Sequence, residues 1–210
     1  MEAIKMDPIS PAELRNEFGR KASRHSFVSI KNMRPIRYNQ RWHRDALVQL
    51  SLDPSVIAFE AESEPLPHEV LNLIVTILGG QMRVSLVRDH TNSTDSNQAK
   101  DQIRISRSTI LREPRASNAR AIWATRKSIV SIGDRVRILG KLDAAPNGLK
   151  LAELLACIST SRVDPVDAIL ALVCQGLVTL DIEKPIAPST TVRRSLNPRS
   201  DCGPKTALKS

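Results

Sequence analysis

Apolar positions change their period several times along this chain, and the clearest succession of periods lies between residues 149 and 194. Leu151, Leu154, Leu155 and Ile158 fall at i, i+3, i+4 and i+7, the spacing of one buried helical face, and predict a helix over 149–158. Ser159, Thr160 and Ser161 break the pattern. A second helix opens with Asp164 as N-cap and Pro165 at N1, where the missing N–H costs no intrahelical bond, and closes at Gln175 with Gly176 as the C′ residue. A strand over 177–182, a loop over 183–189 punctuated by Pro185 and Pro188, and a returning strand over 190–194 complete the unit. Two close helices and a two-strand ribbon predict a winged-helix-like arrangement.

A winged helix usually presents its second helix to the major groove. Here that helix follows Asp164 as PVDAILALVCQ, and only Asp164, Asp167 and Gln175 could hydrogen-bond a base edge. None of the three is cationic. The nearest positive groups are Arg162 before the helix and Lys184, Arg193 and Arg194 on the wing. The unit is expected either to touch DNA through its wing or to serve as an inter-domain or protein-binding module.

Upstream, a helical face of His43, Ala46, Leu47 and Leu50 is stopped by Asp53-Pro54, and a short strand follows over 56–60. Glu60, Glu62 and Glu64 lead to Pro65 and Pro67 and read as a solvated edge rather than a metal site. Residues 71–78 alternate between an apolar and a mixed face, Gly79-Gly80 supplies a tight turn, and 84–87 returns as the second arm of a hairpin. A polar loop over 89–101 leads to one more strand within 102–112, through Ile103 and Ile105. Ser117 or Asn118 is expected to cap a helix in which Ala119, Ile122, Trp123, Arg126 and Val130 share a face, with Arg120 and Lys127 pointing away. Gly133 interrupts it, a further helix over 134–142 packs Val136, Leu139 and Leu142, and Pro146-Asn147-Gly148 turns the chain.

The expected fold class is α+β. Residues 1–37, rich in cations and proline but thin in apolar residues, read as a basic arm. Residues 38–112 form a small mixed α/β domain, 113–194 a helical winged-helix-like domain, and 195–210 a basic disordered tail.

Charge narrows the choice of partner. The 210 residues carry a formal +9, but the cations are bunched: eleven Lys and Arg stand against three Asp and Glu over 98–142, and four against eight over 38–97. A basic middle segment, arm and tail around acidic modules fit a polyanion, most simply double-stranded DNA. Six aromatic residues in the whole chain are too few for a base-stacking platform. Arg120, Lys127, Arg162, Lys184, Arg193 and Arg194 are the DNA-binding candidates. No run approaches the ~18 apolar residues of a membrane span, and MEAIKMDPIS lacks the apolar core of a signal peptide, so no membrane partner and a cytoplasmic location are expected. Cys157, Cys174 and Cys202 form an odd set without CxxC spacing, and the first two read as core thiols.

Motifs of catalysis are sparse. There is no phosphate-binding loop, no GxSxG and no HExxH, and His25, His43, His68 and His90 are scattered. The stretch QRWHRDALVQLSLDPSVIAFEAESEPLP, residues 40–67, does carry a pattern: a helix ending in a Leu-Asp-Pro turn, a Val-rooted strand with Phe-Glu, then a proline turn. It resembles the N-terminal half of the TnsA-type transposon end nucleases. The resemblance implies a restriction-endonuclease-like mixed sheet followed by a winged-helix-like domain. It also implies a Mg²⁺ site built from a helix glutamate, a hairpin aspartate and a Gln/Glu-x-Lys pair, since a hard cation takes oxygen ligands.

Measured back from the Leu-Asp-Pro turn, the glutamate position is occupied by His43, and Asp45 lies out of place on the helix. Asp89 and Lys100, the latter in Gln98-Ala99-Lys100, are the remaining catalytic candidates. No metal ligand is assigned, and Mg²⁺ is expected as cofactor only if the site is intact. The reading is a DNA-binding protein of a mobile element, partnered by double-stranded DNA and a transposase subunit, whose endonuclease-like site is lost. The alternative is a winged-helix transcriptional regulator or protein-binding adaptor without nuclease ancestry.

Overall fold

The computed structural model describes residues 26–62, 70–89, 102–159 and 163–195. It is a mixed α/β structure with one four-stranded mixed sheet and a smaller three-stranded sheet. The N-terminal residues 1–25, the tail 196–210 and, within the chain, His68, His90, Lys100 and Arg162 lie outside the described residues.

Part of the segment read as a basic arm, residues 26–37, packs onto the rest of the molecule. Strands β1 (Ser26–Phe27) and β2 (Ile36–Arg37) pair antiparallel, with Phe27 and Ile36 almost wholly buried. Phe27 stacks on Trp123 with ring centroids 5.1 Å apart. Buried Asn32 holds the intervening loop by donating its amide to Phe27 O and Arg34 O. Two apolar side chains suffice because they enter a core that other segments build.

Helix α1 (Arg41–Leu52) carries the predicted apolar face and ends at Asp53, whose N–H donates to Gln49 O. Strands β3 (Val56–Ala61), β4 (Leu71–Ile77) and β5 (Gly80–Val87) run antiparallel in that order, and β6 (Gln102–Ser106) adds to β5 in parallel. The register places Phe59 beside Val75, Leu73 beside Val84 and Val84 beside Ile103, so one face of the sheet is continuously apolar. Phe59, Leu73, Val75, Val84 and Leu86 join Leu47 and Val48 of α1 in the core. At the hairpin turn Gly80 has φ +138°, a value that side-chain-bearing residues rarely adopt.

The strand expected within 102–112 stops at Ser106. Its side chain accepts from Thr109 N and opens the short helix α2 (Arg107–Ile110). Helix α3 (Arg115–Ala124) starts behind Pro114, ahead of the expected caps, because Asn118 spends its side chain elsewhere, donating to Ile182 O and Lys184 O. The chain leaves α-geometry at a 3₁₀ turn, Thr125–Lys127, well before Gly133, with buried Thr125 donating its hydroxyl to Ile122 O. Gly133 lies inside helix α4 (Ile132–Asp143), which Ser131 caps by accepting from Asp134 N. The buried face of α4 is Asp134, Ile138 and Leu142, so Val136 is 64% exposed rather than packed. Asp134 is drawn inward by hydrogen bonds from Ser131 Oγ and Ser159 N.

The C-terminal unit follows the predicted order, with one change. Leu149–Lys150 is a strand, β7, and helix α5 (Leu151–Leu155) is shorter than expected because Lys150 sits at its N-cap in extended geometry. Helix α6 (Pro165–Cys174) is capped by Asp164, which accepts from Val166 N. It ends as predicted: Gly176 has φ +68°, Gly176 N donates to Val173 O and Leu177 N to Leu172 O. Strands β8 (Val178–Leu180) and β9 (Thr191–Arg194) pair antiparallel, and β7 adds to β9.

One hydrophobic core runs from Phe27 through the sheet, α1 and α3 to Leu154, the length of α6 and Val192. Residues Ala168 to Cys174 are all buried, with Ile169, Ala171 and Leu172 fully so. Helix α6 is therefore an internal beam of the molecule.

Candidate functional site

Each predicted catalytic residue has a structural occupation where it is described. His43 is buried within α1, with its ring edge-on to Trp42 at 4.1 Å between centroids. Asp89, just past β5, accepts from Ser108 N at 2.8 Å and so holds the start of α2. Its hydrogen bonds from Ser108, aided by Arg107, keep its carboxyl below the usual carboxylate range. Asp45 is nearly buried and is gripped by Arg120, whose Nε and Nη2 donate to its two oxygens at 3.1 and 2.8 Å. That fork raises the Arg120 pKa. Among the described residues no three His, Cys, Asp or Glu side chains converge as metal ligands do.

Arginines converge instead. Strands β5 and β6 run parallel, so their C-terminal ends finish at one edge of the sheet, where Val87 pairs with Ser106. The next residue of each strand is Arg88 and Arg107, which are thereby brought side by side. Arg41, the first residue of α1, and Arg120 of α3 reach the same place. These four guanidiniums, with Trp42 and Asp45, line an open cleft of about 530 Å³. Arg41, Arg88 and Arg107 are exposed. Helix α1 also points its N-terminus here, and its N-cap Gln40 makes no side-chain capping bond. Among the described residues the cleft is thus lined by four arginines and one carboxylate, Asp45, whose two oxygens Arg120 already engages. Such a set suits phosphate far better than a divalent cation.

The predicted DNA-binding residues do not form one cluster. Arg120 lines the cleft. Lys127 is exposed at the end of the 3₁₀ turn, Lys184 is exposed in the β8–β9 loop, and Arg193 is exposed on β9. Arg194 is tied down, donating from Nε to Asp143 at 3.0 Å and from Nη1 to Leu177 O at 2.8 Å. Arg112 and Arg115 are likewise held, both by Glu183, and Arg115 also donates to Gln49.

Sequence reasoning missed Arg41, Arg88 and Arg107. An arginine directly after a strand was visible at Val87-Arg88, but the parallel pairing that brings Arg107 beside it was not. A comparison of the chain with protein-family models, with curated proteins and with solved structures found no match. No helix among the described residues is long and apolar enough to cross a membrane.

Proposed function

We propose that this chain is a cytoplasmic DNA-binding protein that grips duplex DNA by its phosphates and has lost the Mg²⁺ chemistry of an endonuclease-like ancestor. The observation that carries the reading is the cleft between α1 and the ends of β5 and β6, lined by four arginines, while His43, at the position where the TnsA resemblance asks for a glutamate, is buried within α1. The order of elements supports that ancestry: a helix, three antiparallel strands and a fourth strand parallel to the third, followed by helices α2 to α6 and the small β7–β9–β8 sheet. A mixed sheet of this kind is what the restriction-endonuclease-like reading requires and what a bare regulator does not.

Binding through phosphates carries little sequence information. Buried α6 fits this mode, since it offers no exposed face for reading bases. Arg193, Lys184 and Lys127 would add further backbone contacts, and a transposase subunit would supply the choice of site. The burial of α6 also favours the second reading, a protein-binding adaptor. The test is an incubation with supercoiled plasmid and either Mg²⁺ or Mn²⁺, alongside a gel-shift series with unrelated duplexes. Retardation of every duplex without nicking is expected. Metal-dependent nicking abolished by Asp89→Ala would overturn the loss of catalysis, and absence of any duplex binding at low salt would leave the adaptor.

A further inference from the structure

We infer that the outward face of α4 docks an amphipathic helix of another protein, apolar on the side it presents and acidic along its flanks. No residue of the arginine cleft takes part, so the inference is independent of the DNA reading.

Helix α4 is apolar on two sides. Ile138 and Leu142 face the core with Asp134, whereas Ile132 and Val136 lie two positions, or about half a turn, round the helix and are 82% and 64% exposed. Ile129, just before the cap at Ser131, is 84% exposed, so three large aliphatic side chains between 129 and 136 stand on one open stretch of surface. A helix that is apolar all round is ordinarily covered on both sides. Gly140 lies one turn beyond Val136, and a Cβ placed there would meet nothing within 4 Å. At Gly133 a Cβ would touch only the end of the Arg137 side chain. Glycine inside a helix is destabilising, and internal packing calls for it at neither position. Beside Ile132 and Val136 the two glycines leave a low strip on which a second helix can lie close.

Charge selects the sign of the partner. From Arg126 to Asp143 there are five Lys and Arg against two Asp. Both carboxylates are engaged: buried Asp134 accepts from Ser131, Ser159 and Arg137, and Asp143 is paired with Arg194. The groups outside the helix that α4 side chains bond to, Gln175, Cys157 O, Ser159 and Arg194, add no further acid. Arg126 is held over Trp123 and Arg135 and Arg137 are hydrogen-bonded, while Lys127 and Lys141 are exposed. Such a surround disfavours a second copy of the same face and favours carboxylates.

Size points the same way. A 12-residue helix is about 18 Å long and about 10–12 Å across, the footprint of one helix laid alongside. That is well short of the ~800 Å² that each partner buries in a standard interface. A single acidic helix, laid apolar face to apolar face, fits both the sign and the area.

The experiment uses the full chain and three fluorescein-labelled synthetic peptides in anisotropy titrations: an amphipathic helix with a leucine face and glutamate flanks, its lysine-flanked counterpart, and a shuffled sequence of the first composition. The acidic helix is expected to bind with a Kd of about 10–100 µM, as suits a small interface, and about tenfold more tightly than either of the others. Binding should fall about tenfold in Ile132→Ser/Val136→Ser, which removes apolar groups already in water in the free protein. Lys141→Gln should weaken it about threefold, the size of a screened ion pair. Leu78→Ser, which removes an equally exposed aliphatic group at the β4–β5 turn, should leave it unchanged. Gly140→Ala should raise the melting temperature, since alanine favours the helix and its Cβ has room, and yet weaken the peptide.

Equal binding of the acidic, lysine-flanked and shuffled peptides overturns the inference. Acidic-peptide binding that is undiminished in Ile132→Ser/Val136→Ser places the peptide on other cations and overturns it as well. Sedimentation of the full chain alone should be the same with and without that double substitution. A dimer that the double variant dissociates would give this face to a second copy and overturn the partner helix.

Discussion

At the ribbon, Arg194 ends in an ion pair with Asp143 and a hydrogen bond to Leu177 O, while at the cleft Arg41, Arg88 and Arg107 stand exposed beside the Asp45–Arg120 pair. Both regions carry arginines and use them differently. Around α3 and α6, arginines fasten one segment to another: Arg115 and Arg112 to Glu183, Arg135 to Gln175, Arg137 to Cys157 O and Ser159. At the sheet end, topology gathers arginines from separate elements around open space. Counting cations by segment therefore locates basic regions, but the fold decides which guanidiniums tie segments together and which line a cleft.

The comparison breaks most visibly at α6. Because Leu172 is fully buried there, Leu172→Ala should cost about 2–5 kcal/mol of stability in urea unfolding, from lost burial and the cavity left behind. Asp167→Ala should leave DNA affinity unchanged. Strong loss of binding without loss of stability at Asp167 would return α6 to the role of reading helix.

Arg120→Ala should act next most strongly. It leaves Asp45, whose side chain is 10% exposed, without its two-pronged partner, and about 1–3 kcal/mol is expected for a buried acceptor so stranded. Arg194→Ala should cost less, about 0–1 kcal/mol, because its partner Asp143 is 60% exposed and solvent screens the pair. An Arg194 effect larger than that of Arg120 would reverse the ranking of the two regions.

The smallest effect concerns the thiols. Burial pushes Cys174 from an ordinary 9.0 up to about 11, so its neutral form stabilises the fold fully below the ordinary thiol range. That contribution should fade as pH rises from about 9 through about 11. At pH 8, alkylation followed by peptide mass spectrometry should find half-buried Cys157 modified well before Cys174. Simultaneous modification would mean that the α6 core opens more readily than its packing implies.

Much of the C-terminal unit was legible because its signals are local. Asp164-Pro165 and Gln175-Gly176 fix the ends of α6 through caps that involve neighbouring residues only. The same holds for the hairpin at Gly79-Gly80. What stayed hidden depends on distant partners. Phe27 and Ile36 look like isolated apolar residues in a basic arm until they are seen to pair with each other and Phe27 to stack on Trp123, almost a hundred positions later. Asn118 looks like a cap, but its amide is claimed by the carbonyls of Ile182 and Lys184. The cleft is the extreme case, since Arg88 and Arg107 become neighbours only through a parallel strand pair.

Salt dependence of duplex binding tests the central claim most directly. Each phosphate contact releases condensed counterions and contributes about 0.9 to the slope of log K against log salt. The triple variant Arg41→Ala/Arg88→Ala/Arg107→Ala should therefore bind more weakly and show a slope shallower by about two to three than the unaltered protein, equally for unrelated sequences. A triple variant whose affinity and slope both match the unaltered protein would contradict the account and place the DNA away from the cleft.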